Sequence, residues 1–287
     1  MPRRINGYSS RWQVAGGNIF LQPATCYLQP VNFGKMNITA TRVPLDSILF
    51  LRALFLNEIN AQVRYNACHE RGWSDSYIIK DQDQIIGYGS VKGNENREAR
   101  DTVFEFYIIP TFRHLSNRAF AALLNSSRAL FIECQSNDSL LSSMLYQFAE
   151  NINAPVVLFE DNIATQLAPA EVSFRAREQE DIIFEHQFEP VGNCVLEKNK
   201  EVVATGGFFL HYNFPYADLF MEVKENYRKM GLGSFLVQEL KKQCYLSGRV
   251  PAARCNAENS ASRACLEKAG FRIAGHLLLG TVDLSQR

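Results

Sequence analysis

The chain has 287 residues and a formal net charge of zero, from 30 basic and 30 acidic side chains. At roughly 150 residues per domain, this length predicts about two domains. Hydrophobic residues make up 46% and charged residues 21%, which supports buried cores and excludes disordered, collagen-like and coiled-coil classes. Neither nucleic acid nor membrane is an expected partner, because the balanced charge disfavours bulk electrostatic binding and no stretch reaches the roughly 20 apolar residues that span a bilayer.

Residues 1–35 differ from the rest of the chain in composition. They carry four basic side chains and no acid, and glycines interrupt their apolar residues, so they lack the apolar core of a secretory signal. We therefore expect residues 1–35 to be a poorly ordered leader or an artefact of the start site. The remaining residues hold 26 basic and 30 acidic side chains, which gives them a net charge of −4.

The cysteines are scattered along the chain. Their number, seven, is odd and no two have CxxC spacing, which disfavours a disulfide framework and a zinc site. We expect free thiols in a reducing cytoplasm, and no metal cofactor.

In the first part of the chain, apolar residues recur at helical spacing from Ile48 and predict one helix to about Arg71. Asp46 and Ser47 are the expected cap, and Gly72 is the expected stop. The next predicted elements, in order, are a hairpin over 77–88, a strand at 102–109, a helix at 115–129, a strand at 129–134, a helix at 139–150 and a strand at 155–159.

The second part repeats this order. Its predicted elements are a strand at 172–176, a short helix at 178–188, a hairpin over 195–204, a strand at 217–223, a helix at 232–246, a strand at 250–255, a helix at 260–269 and closing strands at 271–283. Hairpin, strand, helix, strand, helix and strand thus occur twice, which predicts an internal repeat of about 120 residues.

The most informative segment is RKMGLG at residues 228–233, where a predicted strand runs through a loop into a helix. A helix N-terminus presents unpaired N–H groups, and Gly231 and Gly233 let the backbone approach a bulky anion. Arg228 and Lys229 add positive charge. The segment lacks both GxGxxG and GxxxxGK[ST], so a pyrophosphate site of another kind is predicted.

Four segments in the second part resemble the GCN5-related N-acetyltransferase (GNAT) superfamily. RKMGLG resembles its acetyl-CoA loop, [RQ]xxGx[GA], and MEV at 221–223 resembles the strand that takes the pantetheine arm. RCNAENSAS at 254–262 resembles the following strand and turn, and LEKAGF at 266–271 resembles the family's LYxKxGF ending. The resemblance covers residues 171–287 well, and 36–162 by the order of elements.

The resemblance implies an α/β (α+β) fold of two tandem GNAT-like domains, each a mixed, mostly antiparallel twisted sheet flanked by helices. Residues 163–287 would form the acetyl-CoA-binding domain and residues 36–162 a degenerate copy. Acetyl-CoA would be the co-substrate. The residues implied to bind it are Met221, Val223, Arg228, Lys229, Met230, Gly231, Leu232, Gly233, Ser234, Asn259 and Ser262.

The implied chemistry is direct attack of an amine on the thioester, assisted by a base. Asp218 and Glu222 share one face of their strand, and each is a candidate base. Asp218 lies ten residues before Arg228, where several family members carry a Glu. Leu266 stands where the family often has a Tyr acid, so the proton for the thiolate is left to water, or to Cys265.

The first copy departs further from the family. Its equivalent loop, residues 110–118, has Arg113 but no glycine, so we expect it to bind no acetyl-CoA and to wall the acceptor site. Glu105 and Asp138 are polar residues at predicted strand ends that would either face the acceptor or cap and fill turns.

The sequence predicts a cytoplasmic N-acetyltransferase, monomeric or homodimeric, that acts on a small-molecule or peptide amine. Two alternatives stay open: a non-catalytic acyl-CoA sensor or scaffold, and an acyltransferase that uses a longer acyl-CoA.

Overall fold

The computed structural model describes residues 37–59, 66–210 and 214–286, so the predicted leader lies outside the described residues. The strands are β1 (Ile38–Val43), β2 (Ser74–Asp81), β3 (Gln84–Lys92), β4 (Thr102–Ile108), β5 (Phe131–Gln135), β6 (Ala149–Asp161), β7 (Val172–Ala176), β8 (Cys194–Lys198), β9 (Glu201–Phe209), β10 (Tyr216–Val223), β11 (Val250–Asn256) and β12 (Phe271–Val282). The α-helices are α1 (Leu49–Glu58), α2 (Asn66–Glu70), α3 (Ser116–Ser127), α4 (Ser139–Phe148), α5 (Leu232–Leu246) and α6 (Ser260–Lys268).

All twelve strands form one sheet, in the order β1-β2-β3-β4-β5-β12-β6-β11-β10-β9-β8-β7. The pairs β4–β5 and β10–β11 are parallel, and the other neighbouring pairs are antiparallel. The expected mixed, mostly antiparallel sheet with flanking helices is therefore confirmed. The parallel pairs stand at equivalent places in the two halves of the sequence, each preceded by an antiparallel hairpin.

The last strand of each half pairs with strands of the other half. β6 ends the first half but lies between β12 and β11, while β12 ends the second half but lies between β5 and β6. In these pairs Leu158 is opposite Arg254, and Leu278 is opposite Cys134. The halves thus exchange their final strands. The predicted boundary between residues 162 and 163 stays a prediction, and the sheet itself has no break there.

Helices cover both faces of the sheet in the first half. Leu51 and Phe55 of α1 pack with Tyr88 and Tyr107 on one face. On the other face, Phe120 of α3 meets Phe106 of β4 with ring centroids 4.9 Å apart. β4 is buried along its whole length because it has helices on both sides.

In the second half, α5 and α6 cover one face of the sheet. Leu232, Leu236 and Leu240 of α5 form a core cluster with Leu219 of β10. Phe159 of β6, a strand from the first half, is fully buried in the same cluster. The exchanged strand is thus part of the hydrophobic core against which α5 packs.

The first predicted helix is wrong as a single element. α1 ends at Glu58, where Ile59 turns to an extended conformation, and α2 begins at Asn66. Asp46 and Ser47 lie in a 3₁₀ turn, and no side chain caps α1. The stop at Gly72 is confirmed, since its φ of +68° ends the helical path.

The predicted short helix at 178–188 is also wrong, because tertiary hydrogen bonds hold this segment as a loop. Asp181 accepts the backbone N–H of Glu178 and pairs with Arg175. Further along, Glu222 of β10 accepts the N–H groups of Gln187 and Phe188. Backbone donors that a helix would use internally are bound here to carboxylates.

Within the described ranges, no helix is long and apolar enough to cross a membrane. The six cysteines described there are free thiols, and no cluster of side chains suited to a metal ion occurs among these residues.

Candidate functional site

The sheet opens between β10 and β11. Their parallel pairing covers Tyr216 to Asp218 on β10, opposite Val250 to Ala252 on β11, and then stops. β10 continues along β9 to Val223, whereas β11 continues along β6 to Asn256. The two strands therefore part after Asp218, and main-chain groups beyond this point face an opening rather than a neighbouring strand.

The N-terminus of α5 stands at this opening. Gly231 is the residue before the helix and has φ +79°, a left-handed conformation in which a side chain would cost about 1 kcal/mol or more. Lys229 also has a positive φ, +65°. Leu232, Gly233 and Ser234 form the first turn, whose N–H groups have no acceptor within the helix. We call residues 228–234 the cradle.

Gly233 allows a close approach. A Cβ at this position would lie 3.0 Å from Sγ of Cys265 and 3.2 Å from Cε of Met221. Any side chain there would crowd α6 and β10, so the first turn of α5 keeps a bare backbone. This agrees with the predicted role of Gly231 and Gly233, which is to let the backbone approach a bulky anion.

Positive charges surround the cradle. Arg228 is exposed and donates from Nε to the carbonyl oxygen of Val223 over 3.1 Å. Lys268 of α6 reaches it too, since a Cβ on Gly231 would lie 3.4 Å from Nζ of Lys268. Lys268 was missed as a site residue because only the packing of α6 beside α5 brings it near Gly231.

The other predicted cofactor residues fall into three groups, of which two lie on or next to the cradle. Leu232 and Ser234 are buried, and Met221 and Val223 are partly buried hydrophobic residues packed against the core. Lys229 and Met230 are exposed at the loop tip.

Asn259 caps α6, and its Oδ1 accepts the N–H of Ser262 over 2.9 Å. Both residues lie after the end of β11, on the far side of the opening from β10. Their predicted contact with the cofactor stays a prediction.

Glu222 is buried and fully engaged. Its carboxylate accepts the backbone N–H groups of Gln187, Phe188 and Glu189, each over 3.0 Å. Burial alone would raise the pKa of Glu222, but these donors outweigh it and hold the pKa below its ordinary value. A low pKa and occupied oxygens favour a positioning role over the predicted role of base.

Asp218 stands on the same face of β10 as Glu222, at the last residue pair before the opening. It is buried, and its Oδ2 lies 3.5 Å from Nε of Arg254 on β11. This ion pair joins the two strands at the point where they part. The predicted role of Asp218 as a base stays a prediction.

The position where the resemblance implies a tyrosine acid is filled by Leu266, which is 5% exposed and belongs to the core. Two tyrosines of the second half, Tyr227 and Tyr245, donate their hydroxyls to Glu201 and Asp161. Cys265 alone of these residues touches the cradle, through Ser234, whose Oγ lies 3.7 Å from its Sγ. Burial raises the pKa of the Cys265 thiol.

The equivalent place in the first half is closed. Leu115 is buried where α3 begins, and Arg113 pairs with Glu58 and donates to the carbonyl oxygen of Ile108. Asp138 caps α4 by accepting the N–H of Leu141 over 3.0 Å. The guanidinium of Arg113 and the N–H of Leu141, which could have bound an anion, are therefore occupied by contacts within the protein.

Glu105 lies inside a buried network in the first half. Its carboxylate accepts hydrogen bonds from Nε and Nη2 of Arg52, both over 3.0 Å, and from the hydroxyl of Tyr88 over 3.0 Å. Nε2 of His69 lies 3.1 Å from the same carboxylate. Ser74 in turn bonds Nδ1 of His69 over 3.0 Å. Of the two roles left open for Glu105, contact with the acceptor and a structural role, the structure supports the structural one.

Two family models match the chain in tandem. The model described as "Acetyltransferase (GNAT) domain" matches residues 45–162, and the model described as "Acetyltransferase (GNAT) family" matches residues 160–271. The second match contains the cradle and the opening of the sheet. No curated protein matches the chain.

Solved structures share the fold over most of their length. An acetyltransferase of the GNAT family from Colwellia psychrerythraea has a TM-score of 0.67 at 15% identity, covering 86% of this chain and 100% of that one. A tandem GNAT protein from the clavulanic acid biosynthesis pathway has a TM-score of 0.55 at 10% identity, covering 86% and 98%. A GCN5-related N-acetyltransferase from Sphaerobacter thermophilus has a TM-score of 0.51 at 12% identity, covering 85% of this chain and 95% of that one. At these identities the likeness is one of fold.

Proposed function

Because the chain belongs to the GNAT acetyltransferase family and carries two GNAT domains in tandem, we propose that it transfers the acetyl group of acetyl-CoA to an amine by direct attack. The observation that carries this proposal is the cradle, where Gly231 and Gly233 open the N-terminus of α5 beside the parted strands. In this proposal residues 163–287 hold acetyl-CoA, and residues 36–162 form one wall of the acceptor site.

The cradle suits a pyrophosphate. Its first-turn N–H groups and the positive end of the helix attract anions, and Arg228, Lys229 and Lys268 add charge. The open main chain of β10 beyond Asp218 offers hydrogen bonds to an amide-bearing arm such as pantetheine. A free N–H at the opening would also stabilise the oxyanion that forms as the amine attacks.

The remaining chemistry is the removal of a proton from the amine and the protonation of the leaving thiolate. Asp218 and Glu222 were the predicted bases, and Asp218 lies at the residue pair where the opening begins. The thiolate takes its proton from water or from Cys265, a thiol whose pKa is raised by burial.

The acceptor of the proposal is a small-molecule or peptide amine, and its site is the face of β10 opposite α5. α5 and α6 cover the other face, so an acceptor reaches the opening from the side of the loop at residues 177–193. We place the protein in the cytoplasm, as a monomer or homodimer.

Calorimetry with acetyl-CoA tests the binding step. The parent protein should bind in the micromolar range, and both Gly231→Arg and Gly233→Asp should abolish binding. Gly248→Arg is a matched control, because Gly248 ends α5 with a similar φ of +72° and has open space around it. Absence of binding to the parent, or an equal loss in the control, contradicts the proposal.

Leu266, a buried residue, stands where the family often has a tyrosine that acts as an acid. Because leucine cannot donate a proton, this favours one alternative, a non-catalytic acyl-CoA sensor. Thiol release from acetyl-CoA with a panel of primary amines separates the two functions, since a sensor binds acetyl-CoA without releasing CoA. Repeating the assay with longer acyl-CoA donors tests the acyl chain length.

A further inference from the structure

The loop at residues 177–193 places a glutamate, Glu189, beside Asp218 of β10 and Arg254 of β11, the two residues that face each other where the strands part. Glu222 fixes this loop by accepting three consecutive backbone N–H groups, the last of which belongs to Glu189. The position of Glu189 is therefore set by its own main chain, at 3.0 Å from Oε2 of Glu222. The residue is in contact with solvent, although its carboxyl is partly buried.

The carboxylate of Glu189 is available. Among the residues that the structure describes, it accepts no hydrogen bond and forms no ion pair, whereas Glu222 is saturated by N–H donors and Asp218 is paired with Arg254. A base must have a lone pair directed at the proton it takes. Of the three acids around the opening, Glu189 meets this requirement best.

Partial burial and the charges around Glu189 raise its pKa, which makes it a stronger base than Glu222. The groups that face it are Asp218 and Glu222 from β10, Arg254 from β11 and His186 from its own loop. Partial burial of the carboxyl and the two negative neighbours raise the pKa of Glu189, and they outweigh the two basic neighbours. The pKa of Glu222 is shifted in the opposite direction, as described above.

We propose that Glu189, held by Glu222, takes the proton from the attacking amine. The inference rests on the proposed function. Glu189 takes a proton from the ammonium form of the acceptor, and the neutral nitrogen then forms a bond to the carbonyl carbon of the thioester and gives its second proton to water. The C–S bond breaks, its electron pair leaves on sulfur, and the thiolate is protonated by water or Cys265. Glu189 then returns its proton to solvent, which its exposure permits.

The test compares Glu189→Gln with Glu189→Asp and with Glu185→Gln, a matched control at an exposed glutamate of the same loop. Thiol release is measured with acetyl-CoA and three probe amines: phenethylamine, spermidine and a peptide with a free α-amino group. We expect kcat of Glu189→Gln to fall about 100-fold at pH 7, the lower end for loss of a general base. Glu189→Asp should retain more activity, and Glu185→Gln should resemble the parent.

A pH series distinguishes a base from a structural residue. At pH 10 a larger share of the amine is neutral in bulk water, so the deficit of Glu189→Gln should shrink at least tenfold. A structural defect would reduce kcat equally at every pH. Affinity for acetyl-CoA, measured by calorimetry, should stay within twofold. A pH-independent deficit, or a loss below threefold, overturns the assignment.

The assignment can fail separately from the proposed function. If the parent binds no acetyl-CoA, the proposed function fails first. If acetyl-CoA binds but no probe amine reacts, the assignment is judged by ¹³C NMR titration of the Glu189 carboxyl, identified by its loss in Glu189→Gln. A midpoint above the ordinary glutamate value of about 4.3 supports the assignment, and a midpoint at or below that value overturns it.

Discussion

Replacing Glu105 with glutamine removes a buried negative charge while keeping the shape of the side chain. Glu105 is 3% exposed, and Arg52, His69 and Tyr88 all bond its carboxylate. Removal leaves the guanidinium of Arg52 buried without its partner, a change that typically costs about 3–5 kcal/mol. We expect the variant to lose about that much free energy of unfolding at pH 7.

The pH dependence gives a second, independent magnitude. Burial raises the pKa of Glu105, but the charges and hydrogen bonds of Arg52 and His69 more than reverse this and lower the pKa from 4.5 to about 2. Because the folded pKa is lowered, the stabilisation is complete above the unfolded pKa and is lost as the pH falls toward 2. At 1.36 kcal/mol per pKa unit, the loss amounts to about 3 kcal/mol, of which about 2 kcal/mol is gone by pH 3.

Urea unfolding at pH 7 and pH 3 measures both magnitudes. The parent should lose about 2 kcal/mol more than Glu105→Gln between these pH values, because the variant has no carboxyl to titrate at this position. Glu98→Gln, at an exposed glutamate between β3 and β4, is the control and should follow the parent. Equal pH dependence in the parent and in Glu105→Gln would refute the account of the buried network.

Two further predictions concern the cradle and the exchanged strand. Lys268→Ala should weaken acetyl-CoA binding about fivefold at low salt and less at 0.5 M salt, because salt screens an exposed charge. Calorimetry measures this, with Lys242→Ala, at an exposed lysine elsewhere, as the control. A loss of affinity that does not depend on salt contradicts the prediction. Phe159→Ala removes a fully buried ring and should cost about 3–5 kcal/mol in urea unfolding. The unfolding should remain a single transition, since Phe159 joins the two halves; two separate transitions would oppose this.

Local signals in the sequence predicted the second half closely. The helix at 232–246 matches α5 in both bounds, because apolar residues at helical spacing define its buried side and Gly231 precedes it. The cradle itself was predicted from its glycines, and the structure places them where the strands part. Such features depend on residues that are neighbours in the chain.

Features that depend on distant residues were missed. The loop at residues 177–193 has apolar residues that suit a helix, and only Glu222, more than thirty residues away, shows why it is held open. Glu189 and Lys268 escaped notice for the same reason. The exchange of strands is equally invisible in the sequence, because β12 needs the same hydrophobic pattern whether its neighbour is β5 or β11.

The exchange of β6 and β12 means that one polypeptide has the architecture of a domain-swapped dimer whose two subunits are covalently joined. During synthesis, a nascent chain that has emerged only to residue 162 carries β6 without either of its native neighbours. The first half must therefore wait for the second before its sheet is complete. Conversely, the two halves produced as separate polypeptides retain complementary edges, and they should recover the native sheet by associating with each other.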